Sequence, residues 1–220
     1  MNGASSKIAT RDIDLMLSEY TTEQLSNAIM ESRVDKDQSQ LWLHLPDRTM
    51  IYDANISNAV SMPIWYILTS SISGYSQLLY RNMVRCYGKT LVGHPITPYH
   101  GYLIEDISSH WGNEVGWEFS TPIIYAGGRR GIIHQMELVV IGGQAAFGDE
   151  STVWMSHSPD GKIWSTEQGV AAPACGEREK RLMWFQQGTM RHWRIQKFRG
   201  TSRSHMSIVR LEAELEGLGG

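Results

Sequence analysis

The 220-residue chain is 41% hydrophobic and 20% charged, a globular balance with length for one large or two small cores, which excludes both a disordered tail and a mini-protein. Its formal charge of −3, from 20 Lys+Arg against 23 Asp+Glu, excludes the chain-wide basic surface that bulk electrostatic binding to nucleic acid requires. Two distant cysteines, Cys86 and Cys175, without CxxC or Cys/His spacing point away from a zinc site or a disulfide framework and toward synthesis in a reducing cytoplasm.

No apolar run approaches the ~20 residues that span a bilayer, and the opening "MNGASSKIATRDIDLML" lacks the apolar core of a signal peptide, so no membrane anchor is expected. In "RDIDLMLSEYTTEQLSNAIMES", Ile13, Met16 and Leu17 fall at i, i+3 and i+4. A second stripe, Leu25, Ala28 and Ile29, follows a Thr21…Gln24 pair with capping-box spacing. Two short helices are predicted, over 11 to 18 and 22 to 30.

Beyond residue 30 the period changes to two. Leu41, Leu43 and Leu45 alternate with Trp42 and His44, and "RTMIYDA" follows the turn residues Pro46 and Asp47, which predicts a hairpin. "MPIWYIL", "YRNMVRCYG", "KTLVGHP" and "HGYLIED" continue as short β-prone runs, and tightly joined strands in sets of about four suit propeller blades or a meander. After a boundary near residues 106 to 120 come "TPIIYA", "HQMELVVIGG", "TVWMSHS", "KIWSTE", "RLMWFQQ", "RHWRIQKFRG" and "MSIVRLEAELE". Seven β-like runs separated by turn residues are the pattern of an antiparallel sandwich. The last run contains good helix formers, yet Val209, Leu211, Ala213 and Leu215 alternate strictly with Arg210, Glu212, Glu214 and Glu216, which favours a strand with one wet face. The expected fold is mainly β: a short helical segment over 1–30, propeller-like antiparallel blades over 31–115 and a β-sandwich over 116–217.

Candidate chemistry is sparse. The eight histidines show no HExxH and no close metal spacing, the adjacent acids Glu105-Asp106 and Asp149-Glu150 point to opposite faces if extended, and "VVIGGQAAFGDE" has neither a Walker nor a dinucleotide fingerprint. No catalytic set, metal site or cofactor is expected. The stretch "WMSHSPDGKIWS" resembles the Asp-box turn of sialidase propellers through Ser158, Asp160, Gly161 and Trp164, although Gly follows Asp directly. Pro-Asp-Gly forms turns in its own right, so the expectation is a structural turn. Between residues 178 and 210 nine of the chain's 20 basic residues are gathered, with Glu179 as the one acid. Arg191, Arg194, Lys197, Arg199 and Arg203, interleaved with Trp193 and Phe198, are the candidate interface, facing an acidic partner or a phosphate backbone.

In order, "SEYTTEQLSNAIMESRVDKDQSQLWLHLPDRTMIYDA", "PIWYIL", "GYLIEDISSHWG", "EFSTPIIYA", "VWMSHSPDGKIWS" and "RLMWFQQG" resemble the C-terminal portion of the packaged-DNA-stabilisation proteins of short-tailed phages, the tail accessory factors or tail hubs. The likeness covers residues 11 to 216 and lies in collinearity. It implies a fragment or a short relative of a non-enzymatic virion protein, made in the bacterial host cytoplasm and placed in the tail. It further implies a hexameric ring that closes the portal vertex, stabilises packaged DNA and joins the portal-adaptor protein to the tail needle and tailspike, with possible non-specific contact with the DNA. A carbohydrate-binding or sialidase-like β-protein is the alternative, motivated by the Asp-box-like turn.

Overall fold

The computed structural model describes residues 8–104, 107–125, 130–145, 147–148 and 151–218. Packing divides the chain into two units, Met1–Trp111 and Gly112–Gly220.

In the first unit, helix α1 (Arg11–Ser18) begins where the Thr10 hydroxyl accepts the Ile13 amide, with Asp12 and Asp14 in the first turn, favourable positions for an N-terminus. Helix α2 (Thr22–Ser26) opens on the predicted capping box between Thr21 and Gln24. It stops well short of residue 30. Ile29 and Met30 instead start strand β1 (Ile29–Asp35), opposite His44 and Leu43 of β2 (Gln38–His44); ladder formation overrides the local 3.6-residue period.

The predicted hairpin is formed by β2 and β3 (Thr49–Asp53), in register from Gln40↔Asp53 to His44↔Thr49. A helix absent from the sequence reading, α3 (Ala54–Val60), follows at once because buried Asp53 caps it, accepting the Ile56 amide at 2.9 Å. Strand β4 (Ile64–Leu68) completes an antiparallel sheet in the order β1-β2-β3-β4. Both of its faces are covered. Ile13 of α1 packs with Leu45 and Met50 on one side, while Trp42 and Ile51 pack with Leu78, Tyr80 and Met83 on the other. A three-stranded antiparallel sheet follows, β5 (Arg81–Cys86), β6 (Lys89–Gly93) and β7 (His100–Tyr102).

The second unit contains β8 (Gly116–Ser120), β9 (Ile124–Tyr125), β10 (Arg130–Ile141), β11 (Thr152–Ser158), β12 (Gln168–Ala171), β13 (Leu182–Phe185), β14 (Thr189–Met190), β15 (Trp193–Thr201) and β16 (Ser207–Leu218). One sheet has β10 at its centre, with β13 and β14 along one side and β16 along the other. The other runs β12-β11-β15-β8, with β9 also on β15. Ile133, Met136, Leu138, Leu182 and Trp184 of the first sheet meet Val153, Met155 and Phe198 of the second in one core, the arrangement of a β-sandwich. The run "KIWSTE", expected as a strand, is not one. Its first residues belong to the preceding turn, where Asp160 holds the Lys162 and Ile163 amides.

Candidate assembly surfaces

The turn singled out in the sequence closes on itself. Fully buried Ser158 accepts the Asp160 and Gly161 amides through Oγ, at 3.2 and 2.9 Å, and donates to Asp160 Oδ1 at 2.9 Å. Asp160 Oδ1 also accepts the Lys162 and Ile163 amides, at 2.8 and 2.9 Å. Those two amides, helped by the Ser158 hydroxyl, hold the Asp160 carboxyl below the usual carboxylate range. Gly161 sits at φ +72°, a left-handed conformation that glycine adopts without cost. Trp164 lies under the Lys197 ammonium, 4.4 Å from the ring centroid, and Trp193 Nε1 donates to the Pro159 carbonyl at 2.7 Å. Ser158, Asp160 and Gly161 thus fix a hairpin, and Trp164 ties it to the neighbouring strand.

The five predicted interface residues do not form one free basic face. Arg194 is 3% exposed, which corrects its assignment as a contact residue: it donates through Nε to Gln196 Oε1 at 2.9 Å and through Nη1 to the Gln187 carbonyl at 2.6 Å. Its Nη2 is buried without a hydrogen-bond partner among the described residues, and loss of hydration pushes its pKa down to about 10. Lys197 meets Glu118 at 3.7 Å, Arg199 forms a two-pronged pair with Glu167, and Arg203 meets Glu114 at 3.2 Å. Arg191 lies exposed in the turn before β15, with no ion pair or hydrogen bond among the described residues.

Across the whole 178–210 run, six of the nine cations are neutralised, since Lys180, Arg181 and Arg210 also pair, with Glu177, Glu137 and Glu212. All six of these acids lie outside the run. Linear proximity concealed most of this cancellation because Glu114, Glu118, Glu137 and Glu167 arrive from distant parts of the chain.

The first unit carries a surface that sequence reading missed. Val84, Leu91 and Tyr102 stand opposite one another across β5, β6 and β7, and they are 58%, 40% and 47% exposed. Cross-strand partners share a face, so the three form a continuous apolar row. The opposite face of the same sheet is covered, with Val92 buried and the Trp111 ring against Gly101, where an added β-carbon would come within 3.1 Å. An irregularity in the ladder between Arg81 and Val84, with Asn82 at φ +58°, resets the alternation of β5. That bulge is why a period-two reading did not isolate the row.

A small cleft of about 220 Å³ in the same unit is lined by Asn27, His44, Thr49, Gln77, Leu78 and Arg81 among others. Both ring nitrogens of His44 are engaged, with Thr49 Oγ1 at 3.0 Å and Glu31 Oε2 at 3.2 Å. Burial lowers its pKa against the opposing pull of Glu31. The histidine is a structural bridge. Among the described residues no three His, Cys, Asp or Glu side chains converge as a metal site.

Two domain models of one phage protein match this chain in succession: the β-propeller of bacteriophage P22 Gp10 over residues 1–108 and its β-sandwich over residues 116–216. The chain belongs to the P22 Gp10 family. A curated relative, the tail hub protein gp10 of Salmonella phage P22, is 25% identical over 220 residues, which is 98% of this chain and 44% of that protein. The chain therefore spans less than half the length of the relative it matches. Within the Gp10 family frame, the three-stranded sheet falls in the propeller match and the Ser158 turn in the sandwich match.

Proposed function

We propose that this chain is a structural component of a phage tail, a non-enzymatic hub or plug at the portal vertex. In this reading its two modules, blades over 31–115 with the helical segment 1–30 ahead of them and a sandwich over 116–217, are gripped by neighbouring virion proteins. A hexameric ring between the portal-adaptor protein and the tail needle and tailspike would multiply each subunit contact by symmetry. Packaged DNA would then be retained by summed interface energy, with no need to read its sequence. Exposed Arg191 is the member of the predicted interface set best placed to meet a partner or the DNA.

The observation that carries this reading is the Val84–Leu91–Tyr102 row, an exposed apolar surface across the β5–β7 sheet. The carbohydrate reading draws no support from the turn that motivated it. Ser158 and Asp160 Oδ1 are engaged in holding the hairpin.

The test is incorporation. Particles assembled with Leu91→Glu, in a variant whose circular dichroism matches the parent, are expected to lack the protein and to lose packaged DNA. A folded Leu91→Glu chain that enters particles at parental levels and leaves DNA retention intact would overturn the reading.

A further inference from the structure

We propose that the outer edge of β16 is a strand-addition site for an extended segment of a partner protein in which Lys or Arg alternates with apolar residues. The proposal is independent of the tail-hub reading. It starts from a ladder that is made on one side only. β16 runs for 12 residues and pairs with β10 along its whole length, from Arg130↔Leu218 to Ile141↔Ser207. No described strand pairs with its other edge. Alternate residues of an edge strand direct their amide and carbonyl groups outward, where an incoming strand can satisfy them.

The two faces of β16 differ in chemistry. Ile208, Leu211, Ala213 and Leu215 stand opposite Val140, Leu138, Met136 and Ile133, so they look toward the sandwich interior. Ile208 and Leu215 are nevertheless 40% and 39% exposed. An added strand would extend the sheet and cover them. On the other face Glu212, Glu214 and Glu216 stand opposite Glu137, Gln135 and Ile132. Arg210 offsets Glu212 and Arg181 offsets Glu137, while Glu216 is hydrogen-bonded to His134 Nε2. With Glu137, Glu212, Glu214 and Glu216 against Arg130, Arg181 and Arg210 on this face and histidine counted as neutral, the face is net negative, and Glu214 has no ion-pair partner among the described residues. A partner strand with cations on this face and apolar side chains on the other complements both.

Natural edge strands that must stay unpaired are kept short, carry Pro or Lys, or point a charge inward. β16 is long, contains neither Pro nor Lys, has its own bulge only at Val209 near one end, and points only apolar side chains inward. Its acids lie on the solvent face, where they select a partner without blocking the edge.

The probe is a fluorescein-labelled peptide of alternating Lys and Val, about ten residues long to match the strand, titrated with the full chain and followed by anisotropy. Saturable binding is expected, with slowed amide exchange in β16. The double variant Glu214→Lys/Glu216→Lys, checked for an unchanged fold by circular dichroism, is expected to bind roughly tenfold more weakly or worse, since two favourable cross-strand pairs become repulsive. A Lys/Val peptide N-methylated along one edge should not bind. The proposal is overturned if the parent chain does not bind the peptide, or if the N-methylated or an alternating Glu/Val peptide binds equally well. A dimer that protects the same β16 amides would also overturn it, because the occupant would then be a second copy.

Discussion

The indole of Trp117 lies across Gly200, its opposed residue on the neighbouring strand, so closely that a β-carbon on Gly200 would come within 2.5 Å of the ring. Trp117 in turn stacks beside Phe119, and Phe119 on buried Phe198, which places this contact at the margin of the sandwich core. Gly200→Ala should therefore force the indole off its seat. Overpacking of this kind costs about 1–3 kcal/mol, to be read as a lowered denaturant midpoint with an unchanged slope.

Ser158 is the buried anchor of the Pro159–Gly161 turn, accepting two amides and donating to Asp160. Ser158→Ala leaves those amides without their acceptor, and destabilisation of about 1–3 kcal/mol is expected by urea unfolding. Ser158→Thr, which keeps the hydroxyl, should lose less.

Arg194 and Arg191 are three residues apart and predicted to behave in opposite ways. Arg194→Ala strips partners from the Gln196 side chain and the Gln187 carbonyl in the sandwich interior, and a loss of about 2–4 kcal/mol is expected. Arg191→Ala, at an exposed turn, should stay within about 0.5 kcal/mol while remaining free to affect partner binding. Paired melts of the two variants check this.

Acid sensitivity of the sandwich should run through His157, whose pKa is pushed down to about 4 by burial and by the nearby Arg194 charge. The unfolded chain, with a histidine near 6.5, binds the proton that the folded chain refuses between those values. Stability from this group is therefore complete above about pH 6.5 and lost as pH falls toward 4. The melting temperature should drop between pH 7 and pH 4.5, and His157→Asn should make that drop smaller.

The β2–β3 hairpin, helix α1 and the strand character of β16 were legible because each is specified by its own local period: Leu41 to Leu45, Ile13 with Met16 and Leu17, Val209 to Leu215. Helix α2 was overextended because Ile29 satisfies a helical stripe and a strand ladder equally well, and only the presence of β2 decides between them. The Ser158 turn could be read locally, since every bond that defines it spans three residues or fewer. The Val84–Leu91–Tyr102 row could not, because it is assembled across three strands after a bulge.

Four of the ion pairs that silence the basic run join residues remote in the chain, Arg203 to Glu114 and Arg199 to Glu167 among them. As such sequences diverge, a change of sign at one end would have to be answered at the other, so these positions should drift as couples. Arg191, held by no such tether among the described residues, is free to follow whatever the partner becomes.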